Sequence, residues 1–327
     1  MENMEPLFKL LSDFNVEDLP PKSEKMITIR NSDTLPKVFE TLSINNILSA
    51  PVMNENNRPI GLVDFVDIVC CVVQIIKHTD LMGNDYYSFL ERDDLFTHTY
   101  ASYITDLSER NQYIPVVKGA SLLEAITVMA KNQVNRVPIV TNDFSNGEQG
   151  NQVVNLVTQS AILNFLAKHI DKLGEWGTKS LLDLGFHEKP VISINFHKTA
   201  IEAFELMAEH RVNGIAVVDD KGVIIANISA RDLKELLNET RIFENLYLTV
   251  GEFISRVRQQ DYKAVHPSIS CNMNDSLDKL MTRMCAAKIH RVYVVDQDRK
   301  PVGVISLHDI LEKILEQLTL PDVQIRS

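Results

Sequence analysis

A four-residue signature that suits either a helix N-terminus or a nucleotide contact occurs four times in the sequence. A hydroxyl at the start of a helix can accept hydrogen bonds from backbone N–H groups, or it can donate one to a phosphate at that helix end. A carboxylate three residues later can accept hydrogen bonds from both hydroxyls of a ribose. Since Ser-x-x-Asp is nearly a capping box, capping alone is the alternative interpretation. The four copies read Ser306-Leu-His-Asp309, Ser229-Ala-Arg-Asp232, Asp64-Phe-Val-Asp67 and Thr158-Gln-Ser-Ala161.

The two copies in the first half of the sequence depart from this pattern. Asp64 replaces the hydroxyl, and although it can still cap a helix, its charge would repel a phosphate. Ala161 removes the carboxylate, so we expect that copy to bind no ligand. The signatures therefore predict at most three occupied sites, with the two copies in the second half dominant and Asp67 a further candidate.

Cationic side chains precede the central apolar run that accompanies three of the four signatures. Arg suits a phosphate because its planar guanidinium donates hydrogen bonds in pairs, and a histidine can donate in either protonation state. The alternative is that these residues are solvated at a helix C-terminus, where the helix dipole favours cations. The candidate phosphate ligands are His290, Arg291, Arg136 and Arg211.

Each signature closes a repeated order of elements: a short strand, an amphipathic helix, two strands and a final helix. The helices have apolar residues at positions i, i+3, i+4 and i+7, as in Leu122, Ala125, Ile126 and Met129. The strands are rich in Val and Ile, which is typical of a sheet covered by helices. One repeat cannot easily bury both faces of its sheet, whereas two repeats packed together can. The sequence therefore predicts an α/β fold of four repeats, paired into two tandem modules.

The domain boundaries follow from this repeat. We expect an N-terminal tail, two pairs of repeats and a glycine-containing linker between the pairs. The tail has too few apolar residues to form a core of its own. The predicted ranges are 1–24 for the tail, 25–173 for the first pair (repeats near 26–78 and 113–172), 174–189 for the linker and 190–320 for the second pair (repeats near 190–238 and 266–318).

Composition narrows the classes of partner. The net charge of −11 disfavours binding to nucleic acid or to an anionic membrane, although a local cluster of cations can still hold one small anion. The longest apolar run, Ile68–Ile76, is about half of a membrane span. The four cysteines form no disulfide framework, and the N-terminus shows no secretory signal. These features favour the reducing interior of the cell, in the cytoplasm or also the nucleus.

Two segments resemble the CBS motif, the cystathionine-beta-synthase domain. They are IHRVYVVDQDRKPVGVISLHDIL at 289–311 and HRVNGIAVVDDKGVIIANISARDL at 210–233. Among proteins with four such repeats, the sequence is similar to the gamma regulatory subunit of AMP-activated protein kinase. The resemblance implies a non-catalytic protein that binds AMP, ADP or ATP as a regulatory ligand, without a metal. It also implies protein partners, such as a kinase catalytic subunit and a scaffold.

The resemblance further implies that each ligand lies between the two repeats of a pair. The pocket of Asp309 would then also be lined by Asn213, Gly214 and Ile215. The pocket of Asp232 would be lined by Ile289, His290 and Arg291, and the pocket of Asp67 would draw on Arg136.

Two other kinds of function are alternatives. An enzyme carrying CBS modules is disfavoured, because the repeats and linkers leave no room for a catalytic domain. The second alternative is a stand-alone CBS interaction module with weak or no nucleotide binding. It is favoured by the degenerate first repeat, and by Asn135 before Arg136, where the kinase gamma subunits that the sequence resembles have a His-Arg pair.

Overall fold

Four three-stranded sheets repeat one topology along the chain. In each sheet a short first strand pairs in parallel with a central strand, and the central strand pairs antiparallel with the third. The computed structural model describes residues 4–19, 26–78, 98–102, 104, 112–141, 152–236, 242–260 and 269–319. The predicted α/β fold of four repeats is confirmed.

The first half begins with a helix that precedes repeat one. Repeats one and two then follow the predicted order of elements. The elements are α1 (Glu5–Asp13), β1 (Ile29–Arg30), α2 (Leu35–Ile44), β2 (Ser49–Met53), β3 (Pro59–Asp64), α3 (Phe65–His78), β4 (Val116–Val117), α4 (Leu122–Asn132), β5 (Arg136–Thr141), β6 (Gln152–Thr158) and α5 (Gln159–Lys168).

The second half repeats this order with two differences. A 3-10 helix at Ala230–Leu236 stands where repeat three was expected to end in an α-helix, and an additional helix, α8, follows it. The elements are α6 (Gly174–Thr178), β7 (Ser193–Asn195), α7 (Ala200–Glu209), β8 (Gly214–Val218), β9 (Ile224–Ser229), α8 (Val250–Gln260), β10 (Ser270–Cys271), α9 (Leu277–Ala287), β11 (Arg291–Val295), β12 (Pro301–Ser306) and α10 (Leu307–Thr319).

The antiparallel ladder of every repeat ends on the same pair of positions. The first residue of the central strand is paired with the first residue of the signature, which also ends the third strand. This register brings each capping side chain next to the start of a central strand. The four pairs are Ser49 with Asp64, Arg136 with Thr158, Gly214 with Ser229 and Arg291 with Ser306.

Two large hydrophobic cores join repeats that are not neighbours in the sequence. Repeats one and three share one core, in which α7 packs against α3. Repeats two and four share the other, in which α10 packs against α4 and α9 packs against α5. A smaller cluster of Ala216, Ile224 and Tyr293 joins repeats three and four. Because the helical cores cross between the predicted halves, each half buries its apolar helix faces against the other.

Isolated β-bridges show the same connectivity in both halves. The segment before the first repeat of each half pairs with the second repeat, at Asn15–Ser121 and at Ser180–Ser276. The segment after the first repeat folds back onto it, at Thr34–Tyr100 and at Thr199–Thr249. This correspondence is what two related halves would show, although the precise boundaries 25–173 and 190–320 stay predictions.

Within the predicted loose tail, the described residues 4–19 pack against the rest of the protein. Helix α1 buries Leu7 and Leu11, and both join the core of repeats two and four together with Met4. The segment has too few apolar residues to form a core of its own. A helix with a single apolar face does not need one, because it can pack on a neighbouring core. The predicted linker likewise contributes Trp176, Leu181 and Phe186 to that core. Among the helices of the described residues, none is long and apolar enough to cross a membrane.

Shortening a buried side chain of α1 should therefore destabilise the whole protein. Leu11 is fully buried, so Leu11→Ala should lower the free energy of unfolding by about 2–4 kcal/mol through lost burial and the cavity left behind. The matched control is Leu182→Ala, because Leu182 is 55% exposed and its truncation should change stability by no more than about 0.5 kcal/mol. Chemical denaturation measures both, and equal midpoints for the two variants would contradict the packing of α1.

Candidate functional site

The two complete signatures form capping interactions at the ends of β12 and β9. The backbone N–H of Ser306 donates to Asp309 Oδ2 at 2.7 Å, and the Ser306 hydroxyl donates to the same oxygen. The backbone N–H of Ser229 donates to Asp232 Oδ2 at 2.6 Å, and its hydroxyl donates to that oxygen at 3.0 Å. One carboxylate oxygen of each aspartate is therefore committed to the turn, as the capping interpretation requires.

The two degenerate signatures also act as caps. Asp64 Oδ1 accepts from the backbone N–H groups of Val66 and Asp67, at 2.8 and 3.1 Å, while Asp67 Oδ2 accepts from the backbone N–H of Asp64 at 2.7 Å. Thr158 Oγ1 accepts from the backbone N–H of Ala161 at 3.2 Å. All four signatures thus start a helical segment, whether the first residue is a hydroxyl or an acid.

A cavity of about 560 Å³ lies where the four ladder ends converge. It receives polar side chains from every repeat, and it brings together eight of the pocket residues predicted from the sequence. Those eight are Arg136, Asn213, Ser229, Asp232, Ile289, His290, Arg291 and Ser306.

Five other predicted residues do not line this cavity. Asp309 and Asp67 accept capping bonds at the helix starts beside it. Gly214 lies within β8, and Ile215 is buried in the core of repeats one and three. Arg211 lies exposed in the turn after α7 with a φ of 52°, three residues before the central strand. It therefore occupies a turn position, and it does not correspond to His290 or Arg291.

The charged lining of the cavity is predominantly cationic. Arg136, Arg231, Lys288 and Arg291 provide four permanent positive charges, against the two carboxylates of Asp64 and Asp232. This local excess of positive charge contrasts with the net charge of −11 for the chain. A partly enclosed cluster of cations favours a small anion with several charges, because local charges outweigh distant, solvent-screened ones.

Sequence reasoning missed several residues of this lining. Arg231 and His308 occupy the third position of their signatures, so a signal for them was present in the motif itself. Lys288 occupies a turn position with a φ of 53° and follows an amphipathic helix, where a cation is unremarkable in sequence. No group of three or more His, Cys, Asp or Glu side chains within the described residues is placed to hold a metal ion.

Two side chains of repeat four, Arg291 and His290, form hydrogen bonds with other repeats. Arg291 Nη1 donates to the backbone carbonyl of Gly214 in repeat three. His290 Nε2 shares a hydrogen bond of 3.0 Å with the hydroxyl of Ser160 in repeat two. A Cβ atom at Gly214 would lie 2.8 Å from the carbonyl oxygen of Ile228, so the close approach of β9 already requires glycine there.

Asp309 has a second partner that the sequence did not reveal. Lys189 Nζ, from the predicted linker, lies 3.0 Å from Asp309 Oδ1. Burial raises the pKa of Asp309, but hydrogen bonds from Ser306 and Lys189 outweigh it and hold this pKa below its usual range. Lys189 thus occupies the oxygen that the capping interaction leaves available.

Arg136 also has a partner, and this one bears directly on its predicted role. Its Nη2 atom lies 3.4 Å from Asp64 Oδ2, and the exposed fractions of the two residues are only 7% and 4%. From the sequence, Arg136 was expected to bind a phosphate and Asp64 to repel one, and the pairing of these two side chains was not predicted. No sequence spacing relates a residue of repeat one to a residue of repeat two.

The lowered pKa of Asp309 predicts a pH-dependent contribution to stability. A carboxyl whose pKa is depressed by folding stabilises the folded state above its unfolded pKa, and this stabilisation is lost as the pH falls through the folded pKa. Asp309→Asn should therefore be less stable than the parent at neutral pH, and the difference should shrink in acid. Urea denaturation at a series of pH values from neutral into acid measures the difference in the free energy of unfolding. Asp298→Asn, at an exposed position, is the control. A stability difference independent of pH would contradict the assignment.

Comparison with known proteins agrees with the repeat and with the fold. The family model described as CBS domain matches residues 16–73, 104–168, 183–239 and 260–316, which is more than half of the chain. The regulatory subunit gamma-1 of the SNF1-related protein kinase of Arabidopsis thaliana is 26% identical over 340 residues, covering 89% of this chain and 79% of that protein.

A yeast relative and a solved structure extend over nearly the whole chain. The 5'-AMP-activated protein kinase subunit gamma of Saccharomyces cerevisiae is 26% identical over 325 residues, covering 95% of this chain and 93% of that protein. The crystal structure of protein MJ1225 from Methanocaldococcus jannaschii superimposes with a TM-score of 0.66 at 20% identity. It covers 93% of this chain and 100% of that one, so the two share the fold.

Proposed function

Because this chain belongs to the CBS-domain family, we propose that it is a non-catalytic regulatory protein that binds adenine nucleotides between its repeats. The observation that carries the proposal is the cavity at the four ladder ends, where four permanent cations face two carboxylates. AMP, ADP and ATP differ in their number of negative charges, so a cavity of this kind ranks them by charge. The ligand needs no metal in this proposal.

The second pair of repeats offers the better site. His290 and Arg291 supply donors for phosphates, and the hydroxyls of Ser229 and Ser306 lie at helix starts that line the same cavity. The acceptors for a ribose diol are Asp232, which lines the cavity, and Asp309, which lies at the helix start beside it. A ribose at Asp309 shares or displaces the contact with Lys189, because that contact uses the oxygen left over from capping.

The Arabidopsis relative is named as a regulatory gamma subunit of a protein kinase, and the yeast relative as a gamma subunit of one. We therefore propose that ligand binding changes how this protein contacts a protein partner, such as a kinase catalytic subunit and its scaffold, in the cytoplasm or nucleus. A ligand shifts such an equilibrium only by its differential affinity for the two states. Co-expression with a candidate catalytic chain and scaffold, followed by co-purification with and without AMP, tests this part of the proposal.

A stand-alone interaction module with weak nucleotide binding is the second candidate. The observation that favours it is that both oxygens of Asp309 already have partners, Ser306 and Lys189. Calorimetric titration of the purified chain with AMP, ADP, ATP and S-adenosylmethionine separates the two candidates. Heat from none of these ligands would leave the interaction module as the function.

Replacement of Asp309 is the sharpest test of the nucleotide site. Asp309→Ala removes an acceptor for the ribose hydroxyls, and hydrogen bonds to a charged group contribute about 1.5–3 kcal/mol each. Since solvent weakens them in an open cleft, we expect the affinity for AMP to fall roughly ten- to a hundredfold. Calorimetry measures the affinity, and thermal denaturation checks that the variant is folded.

The matched control is Asp275→Ala. Asp275 also accepts a turn hydrogen bond from the backbone N–H three residues before it, at Asn272, and it pairs with Arg283 at 3.0 Å. No residue of its turn lines the cavity, whereas Ser306, Leu307 and His308 in the turn of Asp309 do. This variant should lose some stability and keep the parent affinity. A 2′,3′-dideoxy analogue should bind the parent less tightly, with little further loss in Asp309→Ala, because the diol and the carboxylate form one interaction. Unchanged AMP affinity in folded Asp309→Ala would refute this role.

A further inference from the structure

We propose that Asp64 is an internal anion that takes the place of a ligand phosphate at Arg136, so that the first pair of repeats closes its own phosphate site. This inference rests on the proposed function, because it says which pair of repeats accepts the nucleotide. It makes Asp64 the residue that determines where, and how many times, the protein binds its ligand.

The geometry assigns separate roles to the two oxygens of Asp64. Oδ1 caps α3 by accepting from the backbone N–H groups of Val66 and Asp67. Oδ2 lies 3.4 Å from Arg136 Nη2. Capping alone does not require an acid at this position, because the hydroxyl of Thr158 caps the equivalent helix in repeat two. What distinguishes Asp64 from the other three signature residues is the charge that Oδ2 presents to Arg136.

Arg136 retains unused hydrogen-bonding capacity beside the cavity. It lines the cavity and is 93% buried, and its Nη1 atom has no hydrogen-bond partner among the described residues. A buried guanidinium group with an unpaired nitrogen favours an acceptor. Asp64 neutralises this charge from within the protein, and its own negative charge repels any phosphate that approaches the same guanidinium.

The second pair of repeats shows the same position without the acid. Asp64 and Ser229 both end their antiparallel ladders, opposite Ser49 and Gly214. Arg136 reaches across to repeat one, and Arg291 reaches across to the carbonyl of Gly214 in repeat three. In the first pair of repeats, the carboxylate of Asp64 faces Arg136. The equivalent residue in repeat three is Ser229, whose hydroxyl can donate a hydrogen bond to a phosphate.

Exchange of the two side chains tests the inference in both directions. Asp64→Ser keeps a capping residue and removes the internal anion, so equilibrium dialysis should find one more ADP bound per chain than in the parent. Ser229→Asp installs the anion in the second pair and should weaken ADP binding there at least tenfold. The double variant Asp64→Ser/Arg136→Gln should lose the additional site, because that site depends on the released arginine.

Thermal denaturation with inorganic pyrophosphate is the second measurement. Asp64→Ser leaves a buried arginine without its counter-ion, so the Tm without ligand should fall below that of the parent. Pyrophosphate should then raise the Tm by several degrees more in Asp64→Ser than in the parent or the double variant. If Asp64→Ser does not fold, the isosteric Asp64→Asn and the independent Ser229→Asp variant decide the question.

The outcomes separate this inference from the proposed function. If the parent binds no adenine nucleotide but pyrophosphate selectively stabilises Asp64→Ser, the proposed function fails and the role of Asp64 stands. If the parent binds nucleotide, and folded Asp64→Ser gains neither a site nor pyrophosphate stabilisation, the role of Asp64 is overturned and the function stands. An unchanged number of sites and unchanged affinity in Ser229→Asp would also overturn it.

Discussion

The register at the end of each antiparallel ladder is the constraint on which the rest of this structure depends. It forces a capping residue to lie beside the first residue of a central strand, as Ser306 lies beside Arg291. In all four repeats, the capping residue of this pair lines one cavity. A shift by one residue would turn the side chains of the affected strand to the opposite face, so the hydrophobic cores and the cavity are fixed by the same register.

The cavity cannot be assigned to one pair of repeats alone. Helical cores join repeat one to repeat three and repeat two to repeat four, while Arg136 and Arg291 cross between repeats of the same pair. A displacement of one repeat therefore alters both a core and a cation contact. Because packed cores resist continuous deformation, a ligand bound in this cavity would be coupled to the arrangement of all four repeats.

The sequence predicted the parts of the site that repeat and which repeats share a pocket, but it did not predict two ion pairs beside that pocket. The signatures and the cations before the central strands recur at fixed spacing, which located Ser306, His290 and Arg291. The pairs Asp64–Arg136 and Lys189–Asp309 depend on how separate repeats pack, so no spacing could reveal them. Helix α1 was underestimated for a related reason, because its apolar face is buried by a core built from other segments.

The convergence of cations explains why such a cavity suits a regulatory ligand. Like charges in a partly enclosed space repel one another, and this repulsion is relieved either by an internal carboxylate or by a bound anion. Beside Arg136 the internal carboxylate is Asp64, so the positive charge in that part of the cavity is neutralised without a ligand. The cations of repeat four line the same cavity, together with Ser229 and Ser306 of the signatures that begin with hydroxyls. In the proposed site, a bound phosphate would relieve the repulsion there. A ligand bound there would stabilise one pair of repeats more than the other, and this is the difference that the proposed partner would detect.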